Sequence, residues 1–361
     1  MPVYLFPWHP ANRTDCARRL TAGVRCTNDA GMTDTPRPPK REIWNHHPPL
    51  PIPNSALFDW PPRPRLALWW LTKRWVHLTS GTLFLATALI VWTLLQPPSE
   101  AMQTLAPGWI ITIWARNLIL LMLFAGALHL WLFSFSLQGD RLKYDARPMM
   151  KDNGTFTFRN QVRDNMFWSL TSGVGAWTAF EVIYWWGTAN GVIPALAFRG
   201  HEVWFFVSLL LVPLWTSAHF YWVHRLLHWP PLYKRVHALH HRSINIGPWS
   251  GLSMHPVESA LYVSAVLIHF VVPSHPVIFL VHIYIKCMGP AFSHAGFEGL
   301  LARDAKVMNA GDFHHQLHHR FFECNYGTVE VPWDKWFGSF HDGTDEASDR
   351  IKERRRRMYA K

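Results

Sequence analysis

Fifteen of the 22 histidines in this 361-residue chain lie between residues 219 and 319, and they are grouped rather than scattered. His224 and His228 stand four apart in HRLLH, a spacing that puts both rings on one helical face. His237, His240 and His241 follow in HALHH, and His315, His318 and His319 end the series in HQLHH. In each HxxHH set the outer pair is one turn apart and the middle residue lies about 60° to the other side. The spacing therefore predicts three imidazoles converging on one centre. Imidazole ligates iron as well as zinc. Eight or more neutral nitrogens suit a pair of irons that take up dioxygen once reduced. Zinc needs only three or four ligands, and a mononuclear iron oxygenase shows two histidines and one carboxylate.

Other side chains join this set on position. His294, in FSHAGFEG, is expected as a ninth ligand. His219 and His255 stand behind the nine as alternates, and His314 is expected to support its neighbour His315 rather than to bind metal. Asp312, Glu258, Glu298, Glu323 and Asp334 are candidates to accept the outer ring N–H of a ligand, which fixes its tautomer and raises its basicity. Asn245 and Asn325 are candidates to orient a ligand or a metal-bound water. His269, His275 and His282 fall in an apolar stretch and read as packing or headgroup contacts. No acid or base beyond the metal ligands is singled out for catalysis.

The elements that must carry these residues are apolar. The chain is 49% hydrophobic and only 16% charged, against about a quarter charged in soluble domains, and it holds 21 tryptophans and 23 phenylalanines, which collect at bilayer edges. Apolar segments at 78–95, 109–135, 167–186 and 203–223 are each long enough to span a hydrocarbon core of about 30 Å. Arg141, Lys143, Arg147, Lys151, Arg159 and Arg163 follow the second, and Arg225, Lys234, Arg235 and Arg242 follow the fourth, whereas the alternate loops carry few basic residues. That alternation predicts both termini and the histidine boxes in the cytosol. Glu181, inside the third segment, is expected to face protein or the surface. A further apolar region, 259–287, is broken by Pro273 and Pro276 and reads as a partial hairpin returning to the same side, with two full tilted spans as the alternative that keeps the same topology.

The expected organisation is an irregular arm at 1–66, membrane helices at 67–223, the histidine-box region at 224–340 with its hairpin, and a basic tail at 341–361. The fold class is all-α: a polytopic membrane protein of about four transmembrane helices, the hairpin and a cytosolic helical cap. The formal charge of +11 fits anionic lipid; without a basic face on a soluble domain, a nucleic-acid partner is excluded. Cys16, Cys26, Cys287 and Cys324 have no CxxC spacing, so an internal iron–sulfur centre is excluded and electrons must come from a separate protein. A metal transporter or sensor would place its ligands mid-span, whereas these boxes follow the spans. Trp215, Tyr221, Trp222, Trp229 and Trp249 are placed where an apolar chain meets the interface, and Arg354–Arg357 where a donor or anionic lipid can dock.

In this pattern the chain resembles the fatty acid hydroxylase and sterol desaturase superfamily over about residues 120–340. The three boxes stand in its order, and NYG at 325–327 and WDKWFG at 333–338 look like its carboxyl-terminal signature. The resemblance implies two irons, dioxygen, an external electron donor, a membrane lipid substrate and an oxidoreductase of lipid metabolism. Removal of hydrogen from an unactivated carbon followed by return of hydroxyl gives an alcohol, and removal of a second hydrogen gives an alkene. Hydroxylation of a fatty acyl, sphingolipid or sterol-like C–H bond is the favoured expectation, with sterol or lipid desaturation as the alternative. Ser217 stands where relatives commonly carry aspartate, and Pro290 where fatty acid 2-hydroxylases carry histidine, which opens a place for His219 or His255. The run GPWSGLSMHPVE, 247–258, is similar to that of bacterial members and implies a bacterial inner membrane.

Overall fold

The computed structural model describes residues 44–75 and 80–359; residues 1–43 of the expected arm, Cys16 and Cys26, residues 76–79 and the last two residues of the tail lie outside the described residues. Thirteen α-helices and one β-hairpin, with eight shorter 3-10 or π-helical segments, make up the regular structure of this part. In chain order they are α1 (Pro64–Trp75), α2 (Ser80–Ile90), α3 (Pro107–His129), α4 (Gln161–Trp168), α5 (Val174–Ala189), α6 (Glu202–Leu227) and α7 (Pro230–Arg235). There follow α8 (Pro256–Val263), α9 (Pro276–Cys287), α10 (Gly289–Ser293), the antiparallel strands β1 (Gly299–Ala302) and β2 (Ala305–Asn309), α11 (Phe313–Phe321), α12 (Trp333–Trp336) and α13 (Asp345–Tyr359). The protein is thus mostly α-helical.

Among the described residues three helices are long and apolar enough to cross a membrane: Pro107–Ser134, Glu202–Leu227 and Pro276–Ser293. The chain is an integral membrane protein, but the expected count of about four spans is corrected. The first expected segment, as far as it is described, is the shorter apolar helix Ser80–Leu95. The third is helical through α4, a π-helical turn and α5, yet Glu181 and its run of tryptophans and threonines keep it out of the three. The hairpin is also longer than expected. Its first arm is the helix Pro256–Phe270, and its second continues past Cys287 to Ser293 and is enclosed by protein for most of its length.

Both arms start the same way. His255 and His275 cap α8 and α9, each ring Nδ1 accepting the N–H two residues on, from Val257 and Val277 at 3.2 Å. Pro256 and Pro276 then occupy the first helical position, where the missing N–H costs nothing. The main core lies among α2, α3, α5, α9 and α10, with Phe84, Trp177, Tyr184, Phe279 and Tyr284 at its centre. Tyr184 stacks on Phe279 with ring centroids 3.6 Å apart.

Glu181 is fully buried in this bundle and pairs with Arg116 of α3, while Asn117 Nδ2 and Trp185 Nε1 also donate to its carboxylate at 3.0 and 3.1 Å. It therefore faces protein and ties α3 to α5. Removing one member of such a pair strands a charge in a low-dielectric interior, at a cost of about 3–5 kcal/mol. Arg116→Met is expected to lower the thermal midpoint of the detergent-solubilised protein sharply, and Arg116→Met with Glu181→Leu to recover most of the loss. A single variant as stable as wild type would remove this pair from the account.

At the carboxyl-terminal end, His341 is buried against Phe321, with ring centroids 4.6 Å apart. Its Nδ1 accepts the Gly343 N–H at 3.0 Å, which leaves no place for a proton there, and Ser348 Oγ of α13 lies 3.2 Å from its Nε2. Burial holds its pKa down to about 4. The folded value lies below the unfolded value of about 6.5, so this contribution to stability is complete above that pH and is lost as pH falls towards 4. The thermal midpoint should therefore fall over that window, with a shallower slope in His341→Phe. Identical slopes would refute the assignment.

Candidate metal centre

His224 and His228 ride on the last turns of α6, whose apolar length fixes where the chain leaves the bundle. Pro230 and Pro231 turn it back through α7 into a 3-10 turn, His237–Arg242, that carries the second box. His294 ends α10, and α11 carries the third box. Asp312 caps α11 by accepting the His314 N–H at 3.0 Å. Gly311 just before it has φ +78°, and a Cβ there would collide with the Phe297 carbonyl, so only glycine permits this entry to the helix.

Nine imidazoles converge in two groups. His224, His228, His237, His241 and His318 form one, and His240, His294, His315 and His319 the other, and within each the candidate ligand atoms all lie within 4.8 Å of one another. In the first, the Nε2 of His237 is 3.1 Å from those of His224 and His228, and the Nε2 of His318 is 3.0 Å from His241 and 3.2 Å from His228. In the second, the Nε2 of His294 is 3.1 Å from His315, 3.2 Å from His319 and 3.4 Å from His240. The expectation that each HxxHH set serves one centre is corrected. The outer members stay together while His240 and His318 cross to the other group. Adjacent residues on a helix point about 100–120° apart, so twin histidines cannot share a centre and straddle two.

The outer nitrogens show which ring atom carries the proton. His224 Nδ1 donates to the Tyr326 carbonyl at 2.7 Å, His318 to Cys324 at 2.7 Å, His319 to Ser243 at 3.1 Å, His294 to Pro290 at 3.0 Å and His240 to Ser253 at 3.4 Å. His237 Nδ1 donates to Glu258 Oε1 at 2.7 Å. The five carbonyl oxygens only accept, so the Nε2 of each ring that donates to one is a bare lone pair turned inward. Burial, reinforced by neighbouring imidazoles, holds the pKa values of His237, His241, His315, His318 and His319 well below the ordinary histidine range, which keeps them neutral and able to ligate.

Lone pairs gathered at such spacing repel unless a cation lies among them. An ion about 2.1 Å from each nitrogen leaves neighbouring ligands about 3.0 Å apart at right angles and about 3.4 Å apart at tetrahedral angles, the range found here. The residues present fit a pair of metal ions, all-nitrogen on the protein side.

The remaining candidates are distributed as follows. Glu258 supports His237. Asp334 holds the closing loop, accepting the N–H groups of Tyr326 and Gly327 at 2.8 and 2.7 Å and the Ser339 hydroxyl at 2.6 Å, and its Oδ2 is 3.7 Å from His314 Nε2. Asn325 anchors the same loop through the His314 and His341 carbonyls, both at 3.0 Å. His314, outside both groups, lies against Phe340. Glu298 is not beside a cluster: it follows the turn at Gly296 and pairs at the surface with His46 and Lys306. Glu323 lies near Arg354, and Asn245 bonds to the Arg147 carbonyl. His255 is occupied as a helix cap, and His219 Nε2 meets Ser264 Oγ at 3.1 Å; neither joins a group. Of the five interface aromatics, Trp215, Trp222 and Trp229 are exposed, whereas Tyr221 and Trp249 are buried. Among the functional groups missed in the sequence are the carbonyls of Ser243, Ser253, Cys324 and Tyr326, which no side chain announces.

Comparison with known proteins agrees with this geometry. Residues 209–339 match the family model described as fatty acid hydroxylase. A Delta(7)-sterol 5(6)-desaturase of Gibberella zeae is 32% identical over 144 residues, which cover 38% of this chain and 42% of that protein. The Saccharomyces cerevisiae enzyme of the same name is 29% identical over 140 residues, 37% of this chain and 36% of its own length. A Delta(7)-sterol-C5(6)-desaturase of Nicotiana tabacum is 32% identical over 136 residues, covering 36% and 48%. The chain thus spans about two fifths of the length of the first curated relatives it matches. No solved structure matches. Residues 209–339, which carry the histidine boxes, thus resemble the fatty acid hydroxylase family and its sterol desaturase relatives.

Proposed function

We propose that this protein is a membrane oxidoreductase that holds two irons in its paired histidine clusters and introduces a carbon–carbon double bond into a sterol-like lipid. The reading rests on one observation above all, two adjoining groups of inward-facing neutral nitrogens spaced for metal. The sequence favours hydroxylation; the relatives are named as sterol desaturases, and on that ground desaturation replaces hydroxylation as the main reading.

Irons bound here supply, with dioxygen, an oxidising power that no side chain has. Two hydrogens leave the lipid, a separate protein delivers two electrons, two protons are taken up, and dioxygen becomes two waters. The chain's own part is placement. Nδ1 donation to carbonyls and Glu258 fixes six of the nine rings, burial excludes water, and the apolar bundle beneath gives a lipid lateral access. We place the clusters and both termini on the cytosolic side, where the basic loops lie.

Lipid extracts from cells with and without the gene, compared by mass, test the reaction. A product lighter by two hydrogens is expected. A product heavier by one oxygen would restore hydroxylation, and no change in any lipid would sink both.

A further inference from the structure

The two histidine groups are not equally covered. Of the nine candidate ligands only His228 is partly exposed, and the other eight are buried. Three aromatic rings close the surface around it. Between ring centres, Tyr326 lies 4.9 Å from His228, Tyr233 lies 5.4 Å from His228 and 5.8 Å from His241, and Phe322 lies 5.0 Å from His241. All three aromatics are themselves partly exposed. One continuous patch of rings therefore joins solvent to two members of the first group, whereas the second group has no member at the surface.

Phe322 is held there against its backbone preference. It ends α11 with φ +67° and ψ −40°, where glycine or asparagine is usual and a bulky side chain is strained. A ring kept at such a position points to a use for the ring. The surroundings are basic. Residues 225–242, which include His228 and Tyr233, carry Arg225, Lys234, Arg235 and Arg242 and no acidic residue. The Arg225 Cζ lies 5.8 Å from the ring centre of Tyr326, and Lys234 and Arg235 are exposed on α7. Arg354 of α13 donates to the carbonyl of Glu323, the residue after Phe322.

We propose that the patch of Tyr233, Phe322 and Tyr326 is the docking site of an acidic one-electron carrier protein, so that electrons enter through the five-nitrogen group and not the four-nitrogen one. An apolar centre within a charged rim is the anatomy of a protein interface, and rim charge speeds the encounter with a partner of opposite sign. A lipid arrives from the apolar bundle beneath, which leaves this face to the carrier. In each encounter the carrier is oxidised by one electron and metal held by the first group is reduced by one. Two encounters deliver the two electrons the reaction consumes, and no covalent bond forms or breaks. The inference rests on the oxidoreductase reading and adds the place of entry and the charge of the partner.

The test measures binding to the detergent-solubilised full chain as purified, with its metal content recorded. The probes are two acidic carriers, a [2Fe–2S] ferredoxin and a b-type cytochrome domain, with basic cytochrome c as the probe of opposite charge. At least one acidic carrier is expected to bind at low salt and to be released as salt rises, and cytochrome c is not. Lys234→Glu combined with Arg235→Glu should weaken that binding by at least about tenfold, the low end of electrostatic steering. Phe322→Ala should weaken it by at least about tenfold, as for an aromatic anchor at the centre of an interface, with metal content unchanged. Arg303→Glu, at the exposed β1–β2 turn, should leave it as in wild type. Anaerobic oxidation of the reduced carrier should slow in step with binding, while dithionite reduces wild type and variants alike. Binding of neither acidic carrier, or equal binding by wild type and these variants, overturns the docking site. If the charge reversals abolish binding to phosphatidylglycerol vesicles but leave carrier binding intact, the basic rim is a lipid contact and the proposal falls. A preparation in which dithionite finds nothing to reduce defeats the two-iron reading, and carrier binding still decides the docking site.

Discussion

His318→Ala is expected to lower bound metal and to cut lipid turnover by at least about a hundredfold, the upper end of what changes even outside the ligand set produce. His318 is fully buried, its Nε2 lies 3.0 and 3.2 Å from those of His241 and His228, and its Nδ1 is held by the Cys324 carbonyl. Its loss removes one of that group's five candidate ligand nitrogens. Membrane insertion should persist, since apolar length governs it. His275→Ala is the matched control, because that ring caps α9 and packs among Trp92, Phe198 and Phe205, away from both groups. Metal content and oxygen-dependent product are to be compared at equal membrane abundance. Wild-type metal and turnover in His318→Ala would remove it from the ligand set.

Glu258→Ala should weaken metal retention by about 10- to 100-fold. The carboxylate is buried and accepts from His237 Nδ1 at 2.7 Å, so it selects the tautomer that turns Nε2 inward. Without it, His237 can carry its proton on the inner nitrogen and cease to be a ligand. Glu258→Gln keeps an acceptor oxygen and should restore part of the affinity. Chelator titration with metal read by mass spectrometry separates the three proteins. Equal retention in Glu258→Ala and wild type would show that the carboxylate does not set the tautomer.

Much of this was legible because it is local. Histidines three and four apart on helical segments declare a ligand pattern, and long apolar runs declare membrane helices. What was not legible depends on partners distant in the chain. Glu181 is identifiable as a costly charge, but its partner Arg116 lies 65 residues away and nothing in the sequence links them. The division of HALHH and HQLHH between two centres follows from how two segments face each other, which periodicity along either one does not contain. The carbonyls that set the tautomers belong to loops, whose oxygens are the same at every residue.

The twin histidines impose one more property. His240 and His241 serve different groups, and so do His318 and His319, so a single peptide unit bridges the two centres at each of two places. Consecutive Cα atoms are fixed about 3.8 Å apart; the backbone would therefore act as a gauge block between two ions held there, repeated on two segments. Neither ion would drift without dragging the other's ligands. The pair should load and empty as a unit, with half-filled protein scarce at every stage of a metal titration.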